Sequence, residues 1–75
     1  MKSLFIGNDR EGYIYIYIEH IDGYKITQLK PFIGDTECIV DKVKDVVAKN
    51  NDVELITIDE SAISQDVVEL LKEQL

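Results

Sequence analysis

The chain is poor in the residues that build covalent cross-links, metal centres and membrane anchors. Its 75 residues include one cysteine, Cys38, which excludes an internal disulfide framework and any zinc site made of several cysteines. No apolar run approaches the ~20 residues that a membrane helix needs. The apolar start is too short for a signal peptide, because charge arrives at Asp9. We therefore expect a cytoplasmic protein with no membrane partner.

Basic residues are also scarce. The chain has 15 acidic and 8 basic residues, for a net charge of −7, and the basic residues are scattered along the sequence. A chain of this charge repels phosphates unless its basic residues cluster, so we expect no nucleic-acid partner. The acidic balance favours a solvated surface, a basic protein partner or metal binding by grouped carboxylates.

Motifs of known chemistry are missing as well. There is no Gly-rich phosphate loop, nucleophile elbow or HExxH sequence, so we expect no cofactor and no catalytic residue. His20, the only histidine, is interpreted as a surface residue beside a turn. Cys38 falls in the first turn of a predicted helix, where the dipole can lower a thiol pKa. Packing of the Cys38 side chain among Ile39 and Val40 is the simpler interpretation.

The most informative feature present is the alternating run Tyr-Ile-Tyr-Ile-Tyr-Ile at residues 13–18. A period of two residues puts the tyrosines on one side of a strand and the isoleucines on the other. The isoleucine side has the composition of an ordinary core face. The tyrosine side is a second, amphipathic face that a partner could contact.

The first half of the chain is predicted to form three strands. Residues 2–6 form the first strand, 7–12 a turn, 13–21 the second strand and 24–30 the third, with Pro31 ending its pairing. Asp22-Gly23 predicts a hairpin with a type I′ turn. Its register puts Ile21 opposite Tyr24, Glu19 opposite Ile26, Tyr17 opposite Gln28, Tyr15 opposite Lys30, Ile18 opposite Thr27 and Ile16 opposite Leu29.

The second half changes to a helical period. Asp35 is a suitable N-cap for a first helix that ends at Asn50-Asn51, and its apolar stripe comprises Ile39, Val40, Val43, Val46 and Val47. Residues 53–58 form a fourth strand. Ser61 or Ser64 caps a last helix, whose inner face comprises Ile63, Val67, Leu70 and Leu71.

These elements predict one domain, residues 1–75, of the α/β (α+β) class. The order β-β-β-α-β-α implies a mixed four-stranded sheet with two helices packed on one face. The predicted core consists of Ile14, Ile16, Ile18, Leu29, Ile39, Val43, Val47, Ile56, Ile63, Val67 and Leu70.

One helical layer leaves the tyrosine side of the sheet uncovered. Tyrosine is enriched at protein interfaces because its ring buries area while its hydroxyl finds a polar partner. We expect a protein partner, or a homodimer formed through residues 13–30. The predicted partner-binding residues are Tyr13, Tyr15, Tyr17, Tyr24 and Ile26.

Two segments resemble the ribonuclease H-like superfamily. Ile6-Gly7-Asn8-Asp9-Arg10-Glu11-Gly12 is similar to its first-strand pattern, apolar-Gly-x-Asp-x-x-Gly, although Asn8 stands where the family usually has an apolar residue. Val53 to Glu60, followed by Ser61 to Leu71, resembles the fourth strand and next helix of phage terminase nuclease domains. The resemblance implies metal binding by Asp9 and either Asp59 or Glu60.

The chain ends before the fifth strand and final helix of that family, which supply the remaining catalytic acid. Two-metal catalysis needs a full carboxylate set, so we expect no enzyme activity. Turn formation by Asp9 and helix capping near Asp59 are the simpler interpretations. The function that we expect is that of a small acidic interaction protein, of the kind with which a phage or mobile element inhibits a host factor. The alternative is a truncated ribonuclease H-like metal-binding domain.

Overall fold

The computed structural model describes residues 1–75 and has the predicted order β-β-β-α-β-α, with a short 3-10 turn after the second strand. The elements are β1 (Lys2–Asn8), β2 (Ile14–His20), β3 (Lys25–Gln28), α1 (Thr36–Lys49), β4 (Val53–Ile58) and α2 (Gln65–Gln74).

The four strands form one mixed sheet in the order β3-β2-β1-β4. The pairs β1–β2 and β2–β3 are antiparallel, and β4 runs parallel to β1 after the α1 crossover. The fold class predicted from the sequence is therefore confirmed.

Both helices pack on the isoleucine side of the sheet. Leu4 and Ile6 of β1 pair in register with Ile18 and Ile16 of β2, which puts all four on one face. This face and the inner stripes of the helices form a single core: Leu4, Ile6, Ile14, Ile16, Ile18, Ile39, Val40, Val43, Val46, Ile63, Val67, Val68 and Leu71.

The predicted core differs from the observed one at its margins and also at its centre. Leu29, Val47, Ile56 and Leu70 pack against the core but remain partly exposed. The predicted list omitted β1, although β1 is a central strand. Strands on both sides of β1 shield it, which is why its inward side chains reach 0% exposure.

Helix α1 begins as predicted. The Asp35 carboxylate accepts a hydrogen bond from the backbone N–H of Cys38 at 2.8 Å, which satisfies one of the free donors of the first turn. At the other end, the Asn50 side chain donates to the Val46 carbonyl at 2.8 Å. Ser64 occupies the N-cap position of α2, but its side chain makes no capping bond.

The hairpin turn is not type I′. Ile21–Gly23 form a 3-10 turn and Tyr24, with φ 49°, takes the left-handed conformation expected at Gly23. The predicted register nevertheless holds within the strands, since Tyr17 pairs with Gln28, Ile18 with Thr27 and Glu19 with Ile26. The predicted pairs Ile21–Tyr24 and Tyr15–Lys30 are not among the strand pairs. Four residues rather than two connect β2 and β3.

Several strand limits also differ from the prediction. Gly7 and Asn8 belong to β1 rather than to a turn, and β2 and β3 are shorter than predicted. Pro31 does not end the pairing, because Phe32 and Ile14 exchange backbone hydrogen bonds of 2.7 and 3.0 Å beyond it. The register shifts by one residue on the way, since Tyr17 pairs with Gln28 but Ile14 with Phe32.

Neither helix has the length and apolar character to cross a membrane.

Candidate functional site

The candidate site is the side of the sheet that carries no helix, which we call the aromatic face. The strand registers assign ten residues to it: Ser3, Phe5, Gly7, Tyr15, Tyr17, Glu19, Ile26, Gln28, Leu55 and Thr57. Glu19 is the one charged residue among them, whereas 31% of the whole chain is charged. Charge depletion distinguishes the centres of protein interfaces from ordinary surface.

Three rings form the centre of this face. Tyr15 and Tyr17 meet edge to face, with ring centroids 5.3 Å apart and an interplanar angle of 62°. Phe5 lies 6.3 Å from Tyr15 and 6.4 Å from Tyr17. Each ring is half-buried, because the rings cover one another and the backbone beneath them. The cluster is thus an ordered platform held by aromatic contacts.

Gly7 is buried under this platform. It pairs directly with Tyr15, and the Tyr15 ring lies across it, so that a Cβ at residue 7 would overlap the ring. The glycine therefore serves a tertiary contact with Tyr15, where the sequence had predicted a turn.

The margins of the aromatic face are more open than its centre. Ile26 is 66% exposed and Leu55 is 60% exposed. Ile26, Tyr17, Phe5 and two polar neighbours line a shallow depression large enough for a partner's side chain. These exposed branched side chains add apolar surface on both sides of the half-buried aromatic centre.

Four of the five predicted partner-binding residues lie on or beside this face. Tyr15, Tyr17 and Ile26 belong to it, and Tyr13 directly precedes β2 with 39% of its surface exposed. Tyr24 is the exception. It lies in the hairpin loop, 95% exposed, because the connection is two residues longer than predicted.

Phe5 and Leu55 are the large apolar side chains of the aromatic face that the sequence did not predict. The alternation of Ser3 and Phe5 with the buried Leu4 and Ile6 was a usable signal, once β1 is recognised as the strand beside β2. Nothing local marks Leu55, because its face depends on the parallel pairing of β4 with β1.

The alternative site of Asp9, Asp59 and Glu60 has a different arrangement. Asp9 Oδ1 accepts hydrogen bonds from the backbone N–H groups of Glu11 and Tyr13, both at 2.9 Å. This pattern closes the turn between β1 and β2, as aspartate commonly does.

Asp59 and Glu60 are engaged separately. Asp59 Oδ1 accepts from the Ser61 hydroxyl at 2.6 Å and from its N–H at 3.2 Å, and Glu60 forms an ion pair with Lys72 at 3.0 Å. No three His, Cys, Asp or Glu side chains lie close enough together to hold a metal ion.

The environment of Cys38 agrees with neither of the two interpretations drawn from the sequence. It is exposed rather than packed in the core. The hydrogen bond to the Asp35 carboxylate, together with the repulsion between the two charges, raises the pKa of its thiol. The raised pKa leaves less reactive thiolate at neutral pH.

The chain was compared with protein-family models, curated proteins and solved structures, and none of them matches it. The relation to the ribonuclease H-like superfamily therefore stays a prediction from sequence.

Proposed function

We propose that this protein acts through protein–protein contact, and that the occupant of its aromatic face is a second copy of the chain. The observation that carries the proposal is the near absence of charge from that face in a chain of net charge −7. A face that only met water would be expected to share the charge found elsewhere on the surface.

Charge placement favours a second copy as the occupant. Pairing two aromatic faces brings together surfaces with one glutamate each, while both helical layers point outward. The acidic residues of the loops and helices then stay at the periphery, where salt screens their repulsion. A self-contact through the helices would instead oppose the acidic side chains of Asp66, Glu69 and Glu73 of α2.

The dimensions of the molecule suit such a contact. Its shortest extent, 19 Å, corresponds to one sheet and one helical layer, and its other extents are 33 and 25 Å. A standard interface buries about 800 Å² from each partner, which is comparable to a face of this size. Burial of the face would also supplement a small core, since only 14 of 75 residues are buried in the single chain.

The proposal leaves the outer, acidic surface of such a dimer free for a basic protein. Inhibition of a host factor by occupation of its basic site belongs to this proposal, and rests on net charge alone. The structure offers the metal-binding alternative no comparable support, because its three carboxylates are bound to separate partners.

Sedimentation equilibrium of matched lysine variants tests the proposal. Ile26→Lys and Ile33→Lys add the same charge at similar exposure, 66% and 62%, but Ile33 lies outside the sheet. We expect wild type and Ile33→Lys to sediment as dimers at high micromolar concentration. Ile26→Lys should raise the dimer dissociation constant at least about tenfold, because burying the lysine beside Glu19, its cross-strand neighbour, removes both charges from water.

A second pair of variants removes aromatic area instead of adding charge. Replacing Tyr15 and Tyr17 with serine should weaken the dimer, whereas Tyr24→Ser in the loop should not. Amide NMR spectra establish that each variant is folded. A wild-type mass of one chain would overturn the proposal, and so would equal weakening by Ile26→Lys and Ile33→Lys.

A further inference from the structure

The two edges of the sheet are protected very differently. The β3 edge is four residues long and begins with Lys25. Lys30 and Pro31 come shortly after its end. Short length, lysine and proline are devices that prevent an edge from pairing with another strand. The β4 edge spans six residues, Val53–Ile58, and contains no lysine, proline or glycine.

The backbone of β4 has hydrogen-bonding groups that point away from the sheet. Asp59 donates its N–H to the Ile6 carbonyl at 2.9 Å, so by alternation Thr57 and Leu55 direct their backbone groups toward β1. Ile56 and Ile58 therefore direct theirs outward. These groups meet no other strand, because β4 pairs with β1 alone.

The side chains of β4 are also less covered than those of the inner strand β1. Ile56 and Ile58 lie on the helical side, yet both stay partly exposed, and Leu55 is 60% exposed on the aromatic face. By contrast, Leu4 and Ile6 of β1 are fully buried. A further strand beside β4 would cover apolar surface on both sides of the sheet.

The charges near β4 indicate what kind of strand could pair with its free edge. The segment from residue 52 to 60 contains four acidic residues, Asp52, Glu54, Asp59 and Glu60, and no basic one. Lys2 pairs with Asp52 and Lys72 with Glu60, which leaves Glu54 and Asp59 without a basic partner. Antiparallel pairing of two β4 strands about Ile56 would bring two of these acidic segments together, with Asp52 of one copy opposite Glu60 of the other, so self-pairing is disfavoured.

We propose that the β4 edge binds an extended segment of another protein, with an apolar centre and basic residues at its ends, as an added strand. Main-chain hydrogen bonds to Ile56 and Ile58 would provide the contact, and Glu54 and Asp59 would select lysine or arginine. This edge is distinct from the aromatic face and remains open in a dimer formed through that face.

Peptide titrations, with amide hydrogen exchange as the readout, test the proposal on the whole protein. The probes are three synthetic peptides: an alternating Val-Thr segment flanked by lysine pairs, the same segment flanked by glutamate pairs, and the lysine peptide with a central proline. We expect the lysine peptide to bind at least about tenfold more tightly than the glutamate peptide at low salt. The proline peptide should bind more weakly, because it lacks a backbone donor.

The exchange pattern identifies the edge. Bound peptide should slow exchange at the Ile56 and Ile58 amides, while the Leu55 and Thr57 amides, already directed to β1, should change little. Glu54→Lys should reduce the preference for the lysine peptide, and Glu69→Lys, an exposed residue of α2, provides the same charge change as a control.

Three results would overturn the proposal: no protection of Ile56 and Ile58, equal binding of the lysine and glutamate peptides, or equal effects of Glu54→Lys and Glu69→Lys. Protection of these two amides in the protein alone, growing with its concentration, would assign the edge to a second copy and also contradict it.

Discussion

At the scale of single residues, the aromatic face depends on a contact between Gly7 and Tyr15. The Tyr15 ring crosses Gly7, and an added Cβ would overlap the far end of that ring. We expect Gly7→Ala to lower the free energy of unfolding by about 1 kcal/mol, because the ring must tilt away. Urea denaturation measures the change.

The same substitution should behave differently without the ring. In a Tyr15→Ala background, Gly7→Ala should be neutral or stabilising, since alanine loses less conformational entropy in a strand. A double-mutant cycle measures the coupling. If the two substitutions are additive, then the ring does not depend on Gly7.

Tyr24 is a second residue whose role follows from backbone conformation. Its φ of 49° is unfavourable for a non-glycine residue, while Gly23 has ordinary φ and open space around its Cα. Tyr24→Gly should therefore stabilise the protein by up to about 1 kcal/mol. Gly23→Ala should be tolerated. A large loss of stability in Gly23→Ala, again by urea denaturation, would indicate the type I′ turn after all.

At the scale of elements, the N-terminus of α1 makes stability depend on pH. Hydrogen bonds from the backbone N–H and side chain of Cys38 hold the pKa of the Asp35 carboxyl below its ordinary value of 3.8. A carboxyl that is more acidic in the folded than in the unfolded chain stabilises the fold fully above its unfolded pKa. That stabilisation is lost as the pH falls through the folded value.

Asp35→Asn isolates this effect, because asparagine also caps helices but does not titrate. The difference in melting temperature between wild type and Asp35→Asn should change in favour of the variant as the pH falls below about 4. Thermal unfolding at a series of pH values measures it. A difference that stays constant down to about pH 2 would mean that the charge on Asp35 does not contribute.

The elements also show how far the sequence could predict the structure. Alternation at residues 13–18 placed β2 and its two faces correctly, and the helical stripes placed α1 and α2. The hairpin register was correct for the paired residues of β2 and β3 although the turn was wrong, because the same pairing is compatible with two or four connecting residues. Both connections are centred between Asp22 and Gly23, so the register predicted from the turn position holds although the turn type differs.

What the sequence could not predict was the part that depends on non-local contacts. Gly7 resembled a turn residue because the ring that covers it comes from another strand. Leu55 joined the aromatic face only through the parallel pairing of β4 with β1. The position of β1 at the centre of the sheet explains why Leu4 and Ile6 are the deepest core residues, and that position follows from the α1 crossover.

At the scale of the whole molecule, the sheet divides the protein into two unlike surfaces. One side is covered by helices that carry charge outward, and the other presents a nearly uncharged aromatic platform. The two sheet edges are unlike as well, since β3 is protected and β4 is open. A dimer through the platform would hide the apolar face and leave two β4 edges for partners.

The central claim is that two copies meet through the aromatic face. Isotope-filtered NOE spectra of a mixture of labelled and unlabelled protein test it most directly, because they record only contacts between copies. We predict cross-peaks that connect the rings of Phe5, Tyr15 and Tyr17 with aromatic-face side chains of the other copy. Their absence at high micromolar concentration, or cross-peaks confined to the helices or to β4, would contradict the claim.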